Sequence, residues 1–450
     1  MGMISNENLN EFLKEVREKA KGEDKLLEQF ERCFLNTLET TVRMKEDGTV
    51  YVITGDIPAM WLRDSTAQIR PFLFPAKENE EIRQMIAGLV KRQFYCICMD
   101  PYANAFNEGP TGACWEKDDP DQSPWVWERK FEVDSLCYPI QLAWMLWKNT
   151  GCTDQFDGNF RTGARKILNV FQTEQNHEYH SAYRFVREDS FYTDTLSREG
   201  RGPCVKPDIG MIWSGFRPSD DACTYGYLVP SNMFAVVALR YLEEIAEKIL
   251  CDEMLAKEAG SLREQIHTAI EEYGRTRTEA FGMVYAYEAD GHGMFNLMDD
   301  ANVPSLLSMS YLGYPLLDEG SKIIIPSVKT VTRDADAATQ LDCWDRMEAP
   351  VDGEPEAVFL HELKEGKDGT AHAAVINERL GLGICLEFER KNLPYFMQWK
   401  SRASGDYMVG LEPANSSVYG RGFHEEQGDL HMLGPFESET MNLTLRILEG

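Results

Sequence analysis

The stretch SNMFAVVALRYLEEI at 231–245 sets the fold class of the larger part of this chain. Its apolar residues Met233, Phe234, Val237, Leu239, Tyr241, Leu242 and Ile245 recur at the spacing that lays side chains along one face of a helix. The same period appears in Leu9, Phe12, Leu13 and Val16, in Phe30, Cys33, Phe34 and Leu38, and in Ile140, Leu142, Ala143 and Leu146. Helices are therefore expected near 5–21, 24–43, 79–98, 131–150, 157–174, 230–249 and 252–274. Loops rich in Gly, Pro and Asp separate them. An all-α region with long polar, aromatic-bearing loops is expected to be a toroid of helices with a site at one end.

After about residue 315 the period changes. Ile323–Ile325, Val328–Val331 and Val358–Leu360 are apolar or β-branched runs, and Gly381–Glu389 is of the same kind. Met441, Leu443, Leu445 and Ile447 alternate with Asn442, Thr444 and Arg446, the pattern of a half-buried strand. Turn signals such as Asp352-Gly353 and Lys367-Asp368-Gly369 break these runs. This part is expected to be an antiparallel β sandwich or a portion of one. No linker, repeat or low-complexity tract marks the change.

A length of 450 residues accommodates one large domain or two ordinary ones, and 43% hydrophobic content is that of a globular chain. A formal net charge of −28 argues against nucleic acid or an anionic membrane surface as partner, and a neutral oligosaccharide fits better. No apolar run approaches the length of a membrane span, and the start of the chain has no secretory h-region, so a cytoplasmic location is expected. Eleven Cys carry no paired metal spacing, so neither metal nor cofactor is expected, and the thiols should be reduced.

Four loops concentrate the chemistry of the helical part. In the first, Pro58 should open a helix whose first turns carry Trp61, Arg63 and Asp64. A guanidinium fork beside a carboxylate suits adjacent sugar hydroxyls, with Trp61 as an apolar wall, although the pair serves equally as a structural ion pair. The second sets Glu128, Arg129, Glu132 and Asp134 among Trp125, Trp127 and Tyr138; Asp134 alone could be a plain helix cap. The third follows Arg217 with the pair Asp220-Asp221. Adjacent carboxylates with apolar neighbours raise one pKa, as a general acid near neutral pH requires. The fourth carries Asp299-Asp300 and Asn302.

The segments ITGDIPAMWLRDSTAQ, DPYANAFN, SPWVWERKFEVDSLCYP, TDTLSREG, WSGFRPSDDAC with the following YGY, SNMFAVVALRY and MDDANVPSLL, in that order between about residues 5 and 311, resemble glycoside hydrolase family 125. The resemblance implies an (α/α)6 toroid and metal-independent, inverting, exo-acting removal of terminal α-1,6-linked mannose. It implies Asp220 as general acid and Arg63, Asp64, Glu128, Asp134, Asp300 and Asn302 as mannose-binding residues. Trp61 and Arg217 join them from the reading of the loops. The choice of Asp220 over Asp221 comes from the family pattern alone.

The pattern then breaks. An inverting glycosidase needs a second carboxylate to activate water, about 6.5–9.5 Å from the first. The family supplies a Glu in a His-Glu-(Ser/Gly)-Phe motif near the C-terminus. The His-Glu pairs here, His361-Glu362 and His424-Glu425, lack that context and are expected in strand-like surroundings. The toroid is accordingly expected to be incomplete and turnover impaired. LGYPLLDEGSKIIIPSVKTVTRDADAA, EAVFLHEL, INERLGLGICLEFERKNLPYFMQWK and YMVGLEPANSSVYGR instead resemble the C-terminal part of a galactose-mutarotase-like domain of unknown function. That resemblance implies Glu412 as its catalytic carboxylate and leaves an aldose-epimerase-like or non-catalytic sugar-binding protein as the alternative. Two domains are expected, 1–311 and 312–450, with the switch at Leu312–Tyr314.

Overall fold

The computed structural model describes residues 9–116, 122–188, 190–279, 282–314, 321–333, 343–351, 354–366, 368–377, 382–403 and 406–449. The turn signal Asp352-Gly353, Lys367, Gly381 and the stretch 315–320 after the expected switch lie outside the described residues. The described residues form two compact units: the first runs to Tyr314, and the second takes in the residues after it together with Thr278, Glu279 and Gly282.

In the first unit the long helices are Asn10–Lys19, Asp24–Thr40, Glu80–Met99, Val133–Thr150, Gly158–Glu174, Val229–Ile245 and Glu253–Tyr273, close to where the periodicity puts them. Three start on side-chain caps: Asn79, Asp157 and Asp252 accept the amides of Ile82, Phe160 and Leu255. Val133–Thr150 and Val229–Ile245 are buried on nearly every face, as expected of helices apolar all round. They meet through aromatic rings, Trp144 stacked on Tyr241 at 4.0 Å between centroids and Tyr138 edge-on to Phe234 at 4.8 Å. Leu312–Tyr314 belongs to this packing. Gln141 donates to the Leu312 carbonyl at 3.3 Å, and His267 Nδ1 lies 3.1 Å from the Tyr314 hydroxyl.

Pro58 does not open a helix. Met60–Trp61 forms a strand paired to Ala105–Phe106, which pairs in turn with Val126–Glu128, and the helix begins only at Leu62. Backbone pairing with Ala105–Phe106 holds Met60 and Trp61 extended, while the Leu62 amide donates to the Asn104 carbonyl at 3.0 Å. This small sheet brings the first two acidic loops together.

The second unit is strand-rich. One antiparallel sheet runs Lys322–Ile324, Thr370–Asn377, Leu382–Glu389, Leu443–Glu449; the other runs Ser327–Thr332, Ala357–Leu363, Tyr395–Ala403, Asp406–Ala414. Ile323, Ala371, Ala373, Leu386 and Phe388 from the first sheet share a core with Leu363 and Phe396 from the second, which makes the pair a sandwich. Two expectations fail here. His424 and Glu425 lie on the helix Gly420–Gln427, where His424 Nε2 accepts the Ser417 amide at 2.9 Å and so ties the helix to the chain before it. Leu443, Leu445 and Ile447 are exposed rather than half-buried. They pair with Phe388, Leu386 and Ile384, and the core that covers Phe388 and Leu386 stops short of this edge strand.

Packing in the helical unit is close around Trp213, fully buried and stacked on His177 at 3.6 Å between ring centroids. Gly226 passes so close that an added Cβ would overlap the Trp213 ring and come within 2.7 Å of Val205. Gly226→Ala should lower the unfolding free energy by about 1–3 kcal/mol, read as a reduced melting temperature. An unchanged transition would show that this contact relaxes freely.

Candidate active site

Arg63 is placed by the second turn-forming position of its helix, just after Trp61 leaves the small sheet. Its guanidinium is nearly enclosed and touches four carboxylates. Nη1 donates to Glu132 Oε2 at 2.7 Å and Asp134 Oδ2 at 3.2 Å, Nη2 lies 3.5 Å from Asp220 Oδ1, and Nε lies 3.5 Å from Asp64 Oδ1. Glu132 and Asp134 are fully buried, Asp64 is one-third exposed and Asp220 is 50% exposed. The cluster thus has a closed floor and an open side. One cation against four carboxyls cannot hold them all ionised in a low-dielectric setting.

The proton affinities follow that count. Burial pushes Glu132 well above the ordinary glutamate value and raises Asp134, with Arg63 opposing in both cases. Asp220 is raised by burial, against Arg63, with the Glu128 charge adding to the rise. Asp64 is raised by burial, again against Arg63. A half-exposed carboxyl whose proton affinity is raised suits the role of proton donor.

Asp220 sits in a tight turn. Its amide donates to the Arg217 carbonyl at 2.9 Å and the Arg217 amide to the Asp221 carbonyl at 2.8 Å. The turn puts Asp220 at φ 68°, the left-handed region that a residue with a Cβ rarely occupies. Lys130 holds it there: its ammonium donates to the Asp220 carbonyl at 2.8 Å and pairs with Asp194 at 2.6 Å. Arg217 is bound by buried Glu288 at 2.7 Å, whose other oxygen accepts the Thr224 and Tyr225 amides.

The other expected residues divide by what they touch. Asp134 lies beneath Arg63, its second oxygen taken by Ser231 at 3.1 Å, so it braces the guanidinium rather than capping the helix. Glu128 is buried between Arg187 at 2.8 Å and Asn104 at 3.0 Å. Trp61 packs with Trp127, Ala59 and Ala105. Asp300 accepts from Ser219 Oγ at 2.9 Å, tying the fourth loop to the Asp220 turn, and from the amide of exposed Asn302 at 3.0 Å. Glu412 is exposed on the strand Asp406–Ala414 of the second unit, in register with Met397.

Several contributors carried no sequence signal of their own. Lys130, Arg187, Asp194 and Glu288 are ordinary charged residues until folding gives them their partners. Lys130 could have been suspected from its place inside the SPWVWERKFEVD segment, as Glu132 was.

The comparisons give this geometry its class. Residues 23–323 match the family described as metal-independent alpha-mannosidase (GH125), and residues 296–447 match a domain of unknown function, DUF4432. The chain belongs to the GH125 family. The two matches overlap over 296–323, around the point where the compact units part.

The chain is similar to a Streptococcus pneumoniae metal-independent α-mannosidase solved as a non-productive complex with α-1,6-mannobiose. Identity is 48%, over 70% of this chain and 74% of that one, with a TM-score of 0.68. It is also 34% identical, over 333 residues, to the meiotically up-regulated gene 157 protein of Schizosaccharomyces pombe. That alignment takes in 69% of this chain, which spans 65% of the length of that curated relative.

Arg63 offsets the burial of Glu132 and Asp134, so Arg63→Met should destabilise the chain by about 3–5 kcal/mol at neutral pH. Both carboxyls hold protons in the fold that the unfolded chain releases, so their cost grows as pH rises above their ordinary values of 4.5 and 3.8. Without Arg63 that cost is larger, and the deficit should be greater at about pH 8 than at about pH 5 in urea unfolding. A deficit independent of pH would contradict this assignment.

Proposed function

We propose that the helical unit binds the non-reducing terminal mannose of an α-1,6-linked oligosaccharide and acts on it as an exo-acting, inverting α-mannosidase with Asp220 as general acid. The observation that carries this is the open side of the Arg63 cluster, where Asp220 and Asp64 are the exposed carboxyls. Arg63 and Asp64 contact adjacent hydroxyls, Trp61 supplies the apolar wall, and Asp300 and Asn302 close the rim. Glu128, Asp134 and Arg217, whose charges are met by protein partners, position these groups rather than grip the sugar.

In the reaction Asp220 gives its proton to the glycosidic oxygen as the bond from C1 to that oxygen breaks. Water adds to C1 from the opposite face and gives up a proton to a base. The family's usual base segment is absent from this sequence, so we propose that sugar recognition is retained while turnover is low. The likeness to a relative that binds α-1,6-mannobiose supports the choice of substrate.

The second unit supports another reading, an aldose-epimerase-like or sugar-binding role. Glu412 pairs with Met397, which lines a cleft with Lys329, Glu362, Arg390 and Tyr395. Mutarotation of glucose or galactose, lost in Glu412→Gln and seen by polarimetry, would favour it.

Release of mannose from α-1,6-mannobiose should fall about 10²–10⁴-fold in Asp220→Asn. The rate should also decline as pH rises through the folded Asp220 value, which lies above 3.8. Equal release by the parent chain and the Asn variant would remove Asp220 from the mechanism.

A further inference from the structure

The strand-rich unit carries a group of side chains that neither the mannose pocket nor Glu412 employs. Ser417, His424 and Asp429 stand in a row. Ser417 Oγ lies 2.9 Å from His424 Nε2, and His424 Nδ1 lies 3.0 Å from Asp429 Oδ1. Ser417 and His424 are buried, and the Asp429 end of the row reaches solvent.

The row is built by a short stretch of chain. Ser417 sits in the turn before the helix Gly420–Gln427, where its Oγ accepts the Tyr419 amide at 3.4 Å. His424 lies on the second turn of that helix. Gly428 ends the helix at φ 74°, a left-handed conformation that glycine adopts without strain. The chain then folds back, so that the Asp429 amide donates to the His424 carbonyl at 3.1 Å while its carboxylate reaches the imidazole.

These contacts fix where the protons sit. The Ser417 amide donates to Nε2 at 2.9 Å, so Nε2 carries the lone pair and Nδ1 the proton that Asp429 accepts. Asp429 Oδ2 accepts from the Tyr395 hydroxyl at 2.7 Å, and hydrogen bonds from Tyr395 and His424 hold this carboxyl below the ordinary aspartate value. A carboxylate behind a neutral imidazole, with a hydroxyl at the far nitrogen, is the arrangement that activates a serine as nucleophile. Exposed Tyr419 and Phe423 pack together at 5.0 Å between ring centroids, and Phe423 meets the His424 ring edge-on at 5.3 Å. They offer an apolar surface beside the imidazole.

We propose that Ser417, His424 and Asp429 form a second catalytic site, a serine esterase for carboxylic esters with an apolar arm. Ser417 Oγ bonds to the ester carbonyl carbon as its proton passes to His424 Nε2. The bond from that carbon to the alcohol oxygen then breaks, and the leaving oxygen takes the proton from Nε2. Water repeats both steps on the acyl-serine, which releases the carboxylic acid and restores Ser417. Asp429 steadies the imidazolium between the two transfers.

The test treats the full chain with a fluorophosphonate probe, locates the adduct by peptide mass spectrometry, and follows hydrolysis of p-nitrophenyl butyrate. The parent chain should take the probe on Ser417 and cleave the ester. Ser417→Ala should abolish both; it keeps the backbone amide that meets Nε2, and an unchanged melting temperature will confirm that it folds. Asp429→Asn should lower kcat by about 10²–10⁴-fold with KM held within about threefold. A parent chain that leaves Ser417 unmodified overturns the assignment and makes the row a tie for the helix alone. Ester hydrolysis undiminished in Ser417→Ala, or equal rates in the parent chain and Asp429→Asn, overturns it as well.

Discussion

Everything at the site depends on one buried guanidinium. Arg63 gathers Glu132 and Asp134 beneath it and Asp64 and Asp220 at its edge, from loops far apart in sequence. Removing a carboxylate from water is costly, and one cation cannot compensate four. The cluster therefore keeps protons that isolated carboxyls would lose, and Asp220 shares in that shift while remaining half-exposed. Lys130 supplies the second constraint by holding the Asp220 backbone in a left-handed conformation that sterics disfavour.

Much of this was legible in the sequence, and the reasons differ by level. Helix period survives folding almost unchanged, so Val229–Ile245 and Glu253–Tyr273 fall within a few residues of their expected spans. Pro58 misled because cross-strand pairing of Met60–Trp61 with Ala105–Phe106 outweighs a local helix-start preference. His424 misled in the opposite direction, through a helix too short to show a period. At the site, Arg63, Asp64 and Asp220 stand out as charges beside aromatic and Gly-rich loops. Lys130, Arg187 and Asp194 do not, because their roles arise from burial against partners that only tertiary structure supplies. Arg217 was visible, but its partner Glu288, which meets its charge, was not.

The second unit follows a different logic. Its two sheets share a core, yet Leu443, Leu445 and Ile447 on the edge strand present apolar side chains to water. Natural sheet edges are usually blunted by charge, by Pro or by covering elements. Arg446, paired with Glu387 at 2.8 Å, is the charged residue on the described part of that strand whose side chain offsets this exposure. The helical unit, by contrast, has its apolar helices enclosed and its charges directed into one cluster. Family membership is thus carried by the helical unit, and the strand-rich unit adds a separate surface with its own acidic residue, Glu412.

The central claim is that the Arg63 cluster holds a terminal mannose with Asp220 facing the bond to the next sugar. The most direct measurement is a crystal structure of the chain with S-linked α-1,6-mannobiose. The account predicts the non-reducing mannose within hydrogen-bonding distance of Arg63 and Asp64, and the linking sulfur turned toward Asp220. Disaccharide bound only at the Glu412 face, or a mannose ring placed with Asp220 on its far side from the linkage, would contradict it.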